Sequence, residues 1–269
     1  MHEGPQTERG NVPVVFSGGG TGGHLYPALA LAEALRALRP DIRPFFVGAR
    51  RGIEARVLPA RGEEHHLLPI RGVSRTGGIS GNLGVPWAVV SSLASCFSLF
   101  RRLRPEHVVV TGGYAGGPAG FAAAVSGVPL VLQEQNAVPG SANRLVGRWA
   151  RRVYLGPVSA ARFFRSPVCL ATGSPVRAAF QNSDGSYDQE RVTGTGGGRV
   201  LIFGGSGGAR TLNRAVTEAV GLWPEAPDFS LWVQTGKADH AEVARAHAGA
   251  DDERARVVSY IEDMPAALA

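Results

Sequence analysis

One imidazole stands where it could do chemistry. His24 directly follows Gly18-Gly19-Gly20-Thr21-Gly22-Gly23 and precedes an apolar-periodic segment that runs from Pro27 to Leu38. Glycine loses more backbone freedom on folding than any other residue, so five of them between a strand pattern and a helix pattern must supply something only glycine can. They offer bare N–H groups, and when the positive end of a helix aims those groups they form an anion site of the kind phosphate occupies. A histidine at the mouth of such a turn is placed to act as a base beside bound phosphate. Glu134, in the stretch LQEQNAVPG, lies just past the apolar run Pro129 to Leu132 and would reach the same crevice, a second candidate for the base. His65 and His66 read as a solvated strand edge. No D-x-D or HxxxH ligand set appears, so the residues indicate neither a metal nor another cofactor.

The turn recurs. Val108 to Pro118 reads VVVTGGYAGGP and Val200 to Ala209 reads VLIFGGSGGA, each a run rich in Val, Leu, Ile or Phe, a glycine turn and then small helix-forming residues. The first glycines, Gly18, Gly112 and Gly204, are too far apart for a solenoid repeat and suit one architecture used in two domains. Between them apolar runs alternate with helical patterns. Val12 to Ser17 precedes Pro27 to Leu38, Pro44 to Val47 precedes Gly52 to Arg61, and Leu67 to Ile70 precedes Asn82 to Leu103; Ser141 to Arg152 is a further helical stretch. That order predicts an α/β fold of doubly wound parallel sheets, with the glycine turns beyond the carboxyl ends of the strands. Two Rossmann-like domains are expected, 1–175 and 176–269, with the boundary at ATGSPVR and a polar loop over Gln181 to Arg199. A second domain equal to the first would reach about residue 330 to 350, so the second reads as incomplete.

Composition narrows the partners. The 269 residues are 44% hydrophobic with two well-separated cysteines, Cys96 and Cys169, which favours a reducing compartment. Up to Arg165 there are 19 arginines against 9 acidic residues, whereas the remainder carries 9 basic against 13 acidic. Such a basic first half suits phosphorylated substrates or anionic membrane lipids. Aromatics are only 7%, without basic-aromatic interleaving, and nucleic acid is excluded as a partner. Thr76 to Phe100 contains no charge, but Gly81, Gly84, Pro86 and five serines make it a poor membrane span. Leu83, Trp87, Val90 and Leu93 fall at helical spacing and Arg101, Arg102 and Arg104 follow. A core-facing helix and a helix resting on an anionic bilayer both fit, and the basic excess favours the bilayer.

Other motifs are weaker. Gly18 to Gly23 satisfies G-x-G-x-x-G, but the second strand ends in Arg50 and Arg51 rather than in the acid that binds a dinucleotide ribose. No Lys-Ser/Thr pair completes a P-loop. Gly204 to Gly208 fits the G-x-S-x-G elbow of α/β-hydrolases around Ser206, with Asp239 and His240 downstream. Two adjacent residues make poor successive members of a triad, because the carboxylate must sit behind the imidazole.

Six ordered words, GGTGGHLYPALALA, GGYAGGPAGFAA, EQN, GSPVR, GGSGGARTLN and YIEDM, resemble the MurG family of GT-B glycosyltransferases over nearly the whole chain. The resemblance implies two Rossmann-type domains, the first for the lipid acceptor and the second mainly for UDP-N-acetylglucosamine. The implied reaction is inverting transfer of N-acetylglucosamine to the C4 hydroxyl of the muramyl sugar of lipid I, giving lipid II, at the cytoplasmic face of the inner membrane, with the protein bound peripherally. His24 would be the base, with Glu134 second. Thr21, Gly22, Gly23, Asn136, Arg177, Ser206 and Ile261 would contact the donor, and Tyr114 and Glu134 the acceptor. The segment Leu83 to Arg104 would rest on anionic lipid. Departures are Gln133 where the family usually has His, Ser174 for Asn, and Gly207 for Gln. The family's segment gripping the ribose and sugar of the donor would lie beyond Ala269, which implies weak donor binding and slow turnover by these 269 residues. A Ser206 hydrolase and a non-catalytic membrane-bound remnant are the alternatives.

Overall fold

The computed structural model describes residues 12–70, 72, 84–165, 168–180, 198–205, 207–220, 222, 229–247, 255–262 and 264–268, so Leu83 and Ser206 lie outside the described residues. The chain divides into two compact units, 1–178 and 179–269.

The first unit is built on seven strands: β1 (Val12–Gly18), β2 (Ile42–Ala49), β3 (His65–Leu68), β4 (His107–Gly112), β5 (Leu130–Glu134), β6 (Arg152–Leu155) and β7 (Val168–Ala171). Their order is β3-β2-β1-β4-β5-β6-β7, and every pairing is parallel. The chain's direction across the sheet reverses between β1 and β4, the point at which doubly wound sheets open a crevice beyond their strand ends. The helices are α1 (Gly22–Leu38), α2 (Glu54–Ala60), α3 (Val85–Leu103), α4 (Gly113–Val125) and α5 (Ser141–Val146).

Strand periodicity assigns the two faces. Val14 and Phe16 of β1 pack with Leu25, Ala28, Leu29 and Ala32 of α1 and Leu58 of α2. Val15, between them, joins Cys96, Leu99 and Phe100 of α3 and the alanines of α4 on the other face. Successive side chains of a strand point to opposite faces, so a central strand covered on both sides must be apolar throughout.

Several elements depart from the sequence expectation. α1 starts at Gly22 rather than Pro27, because His24 N–H and Leu25 N–H both reach back to Thr21 O at 3.2 Å and form a helical turn ahead of the proline. β3 takes in His65 and His66 as the terminal strand of the sheet. α5 stops at Val146, where the bonding tightens to i→i−3 turns, with Trp149 N–H donating to Val146 O at 3.0 Å and Ala150 N–H to Gly147 O at 3.3 Å. Strands β6 and β7 are additions to that expectation.

Among its described residues the second unit has three parallel strands, β8 (Gly198–Phe203), β9 (Phe229–Gln234) and β10 (Ala255–Val258), in the order β10-β9-β8. Its helices are α6 (Arg210–Val220), α7 (His240–His247) and α8 (Met264–Leu268). Among the described residues no helix is long and apolar enough to cross a membrane.

Candidate active site at the glycine turns

β1 and β4 are neighbours, so the turns that follow them touch. Gly19 N–H donates to Gly112 O at 3.3 Å, and a Cβ on Gly113 would overlap Gly19 O. Gly112 itself sits at φ 114° and ψ −166°, a conformation open in practice to glycine alone.

His24 lies over this junction. A Cβ on Gly112 would stand 2.6 Å from its Nδ1 and 2.8 Å from its Cε1. Thr111, at the end of β4 and fully buried, holds it twice: its Oγ1 donates to His24 O at 2.7 Å, and its carbonyl lies 3.1 Å from His24 Nδ1. A carbonyl only accepts, so Nδ1 carries the proton, and the neutral form of the ring is the tautomer with its lone pair at Nε2. Nε2 has no partner among the described residues. Gln135 Nε2 donates to the same Thr111 carbonyl at 3.0 Å and completes its coordination.

Glu134 is enclosed instead. Its Oε1 accepts from the backbone N–H and the side-chain amide of Asn136, each at 2.9 Å, and its Oε2 accepts from Asn143 at 2.7 Å. Asn143 comes from α5, and its amide also lies near Gly112, so Glu134 and His24 are two ends of one packed group. Three donors on a fully buried carboxylate suit fixing the Glu134-Gln135-Asn136 turn more than moving a proton. Gln133, on the other face of β5, is buried with neither amide atom partnered among the described residues.

Tyr114 is half-buried and packs over Gly20, where a Cβ would stand 2.7 Å from its Cζ. Burial pushes its phenol up, and the charge of Glu54 pushes it further. Thr21 and Gly23 are exposed at the start of α1, with Gly22 buried between them. Arg177 stacks on the Tyr26 ring at 4.7 Å, within the first unit and beside α1. Asn136 is exposed.

The second unit repeats the joint. A Cβ on Gly208 would overlap Thr235 O, and one on Gly236 would overlap Gly207 O. Asn213 donates to Thr235 O at 2.8 Å and to Asp239 at 2.9 Å, and Gln234 donates to Gly205 O at 2.8 Å. Asp239 is thus engaged by Asn213 and faces Arg210 at 3.8 Å, with no hydrogen bond to His240. Ile261 is buried just past β10.

On α3 the core side is Ser92, Cys96, Leu99 and Phe100, while Trp87 at 77% exposure and Val90 at 57% stand on the opposite side. Leu93 is half-buried on the flank between them, and Arg101, Arg102 and Arg104 are exposed at the end of the helix.

Sequence reasoning missed Thr111, Asn143 and Glu54. Thr111 and Asn143 do carry a signal, as the polar residues nearest the glycine turn and the EQN turn.

Two Rossmann-like parallel-sheet units, each with glycine turns at its strand ends, define the GT-B class of glycosyltransferase fold. Residues 14–155 match the glycosyltransferase family 28 N-terminal domain, and residues 199–269 match the family 28 C-terminal domain. The chain is 41% identical over 256 residues to the UDP-N-acetylglucosamine–N-acetylmuramyl-(pentapeptide) pyrophosphoryl-undecaprenol N-acetylglucosamine transferase of Acidithiobacillus ferrooxidans, covering 95% of this chain and 68% of that protein. It is 40% identical over 235 residues to the transferase of the same name from Desulforudis audaxviator, covering 86% of this chain and 62% of the relative. Its structure is similar to that of Acinetobacter baumannii MurG, with a TM-score of 0.63 and 26% identity over 95% of this chain and 68% of that one. This chain belongs to glycosyltransferase family 28. It spans 62% to 70% of the length of the first two relatives it matches.

Proposed function

We propose that the protein transfers N-acetylglucosamine from UDP to the C4 hydroxyl of the muramyl sugar of undecaprenyl-pyrophosphoryl-MurNAc-pentapeptide, converting lipid I to lipid II in peptidoglycan synthesis. The acceptor oxygen attacks the anomeric carbon, the bond to UDP breaks with inversion, and the hydroxyl proton passes to His24 Nε2. The leaving diphosphate gains negative charge, which helix N-terminal amides and a guanidinium such as Arg177 stabilise by preorganised dipole and charge. In this reading the donor meets Thr21, Gly22, Gly23, Asn136 and Arg177 from the first unit and Ser206 and Ile261 from the second. Tyr114 and Glu134 serve the acceptor side, and Glu134 also fixes the turn that bears the donor contact Asn136.

The observation that carries this reading is the anchoring of His24 Nδ1 on the Thr111 carbonyl, which leaves Nε2 as the proton acceptor beside the paired glycine turns. The names of the relatives support the donor and acceptor. Ser206 hydrolysis has no support in those names, and Asp239 is bonded to Asn213 rather than to an imidazole.

We also propose that the outer side of α3, with Trp87, Val90 and the arginines at its end, rests on anionic lipid at the cytoplasmic face of the cell membrane. Exposed aromatic and aliphatic side chains beside arginine suit that interface.

The test is transfer of labelled N-acetylglucosamine to a lipid I analogue by a chain carrying these residues at the length of its relatives. His24→Ala should lower kcat by about 10² to 10⁴, the usual worth of a general base. Retention of the wild-type rate by that variant excludes His24 as the base.

A further inference from the structure

The first glycine turn already holds an anion, and it belongs to the protein. Glu54 opens α2, is completely buried, and accepts from Gly20 N–H with both carboxylate oxygens at 2.9 Å and from Ala49 N–H at 2.7 Å. Its chamber is cut from glycine, since a Cβ on Gly19, Gly48 or Gly52 would overlap the Glu54 side chain. Among the described residues no cation pairs with it. Buried charge without a counter-ion is costly, and the N–H groups of the turn are what offset that cost here.

We propose that Glu54 is a positioning residue for transfer: its carboxylate fills the anion site of the first glycine turn from within and, by gripping Gly20 N–H, sets where α1 starts and therefore where His24 stands. This rests on His24 being the base. Only three residues, Thr21, Gly22 and Gly23, lie between the Gly20 amide and His24, and the one side chain among them that could hold the turn, Thr21, is exposed. The charge of Glu54 also acts on Tyr114, whose ring covers Gly20. The group thus has a consequence beyond packing. Its effect on the Tyr114 titration makes that phenol a reporter of the buried carboxylate.

The experiment compares Glu54→Gln and Glu54→Asp with the wild type, by transfer kinetics and by ultraviolet titration of Tyr114 without substrate, assigned with Tyr114→Phe. Glu54→Gln keeps the shape but turns an NH2 toward a donor N–H. It should lower kcat about tenfold to a hundredfold, as misplacement by about 1 Å does, with acceptor KM changed less than about threefold. The Tyr114 titration should move down in Glu54→Gln and stay raised in Glu54→Asp, which retains the charge. A folded Glu54→Gln that keeps kcat within about twofold and leaves the Tyr114 titration unmoved overturns the proposal. Should that variant fail to fold, Gly52→Ala, whose Cβ overlaps the Glu54 carboxyl without removing its charge, must show the same loss of kcat; wild-type kcat overturns the proposal equally. Transfer lost in His24→Ala but intact in Glu54→Gln refutes Glu54 alone, whereas transfer intact in both refutes the base.

Discussion

Gly112→Ala probes the joint on which the site depends. At φ 114° and ψ −166° an alanine is held in a region costing about 1–3 kcal/mol. Its methyl would also stand 2.6 Å from His24 Nδ1 and 3.2 Å from Asn143 Nδ2, well inside van der Waals contact. The ring must swing away, and losing its bond to the Thr111 carbonyl costs roughly another 0.5–1.5 kcal/mol. The sum is about 1.5–4.5 kcal/mol. For a unit of 178 residues this lowers Tm by roughly 3–18 °C, at about 2–4 °C per kcal/mol.

Gly127→Ala is the control. Gly127 also has positive φ, 70°, but its Cβ would meet nothing within 4 Å, so it carries only the left-handed strain of about 1–2 kcal/mol. Both variants strain the backbone, and only Gly112→Ala adds contacts with His24 and Asn143. Differential scanning calorimetry and transfer assays should show Gly112→Ala to be the less stable, with a rate lower by about 10²-fold, while Gly127→Ala transfers normally. Equal rates in the two folded variants would show that the His24 ring does not stand over Gly112, and the case for the base would go with it.

Three further outcomes follow from the same geometry. Burial, reinforced by the charges of Arg102, Arg50 and His65, holds the His66 imidazole below its ordinary 6.5. Its folded value being the lower one, the unfolded chain binds the proton first, so stability is full above about pH 6.5 and falls as pH drops below it; His66→Gln should flatten that acid limb in urea titrations. Burial pushes the Cys96 thiol up to about 12 and leaves Cys169 only partly covered, so iodoacetamide on the native protein should label Cys169 alone, and labelling of both would contradict the α3 packing. Trp87→Ser combined with Val90→Ser should reduce flotation with vesicles containing about 30% anionic lipid several-fold without changing Tm, and unchanged flotation would remove α3 from the membrane contact.

Much of this arrangement is legible in the order of residues alone. A glycine run between a β-branched stretch and an alanine-rich one has few other uses, and its recurrence at Gly112 and Gly204 reveals the doubly wound sheets. His24 stands out because it interrupts that pattern. The four-residue strands β6 and β7 are harder, because RVYL and VCLA offer too few positions for a period to emerge. Glu54 is hidden for a different reason. In RRGIEAR it reads as an acid in the first turn of a helix, and nothing local says that its carboxylate reaches an amide 34 positions earlier. The available clue is the ring of glycines at Gly19, Gly48 and Gly52, which becomes meaningful only once the ends of β1 and β2 are known to be adjacent.

Electrostatics separates the two units even though their backbones solve one problem alike. In both, the turns after neighbouring parallel strands press together until no side chain fits between them. In the first unit the polar group behind the turn is the Glu54 carboxylate; in the second it is the neutral amides of Gln234 and Asn213, with Asp239 beyond Asn213 and facing Arg210. A second anion about 5 Å from Glu54 would meet repulsion of roughly 3 kcal/mol at an effective dielectric constant of 20, a factor of more than a hundred in occupancy. Neutral amides impose no such cost. Under the proposed reaction a diphosphate is therefore kept off the Gly20 side of the first turn. The ground beside His24 is then free for an uncharged sugar hydroxyl, which is what a base at that position requires.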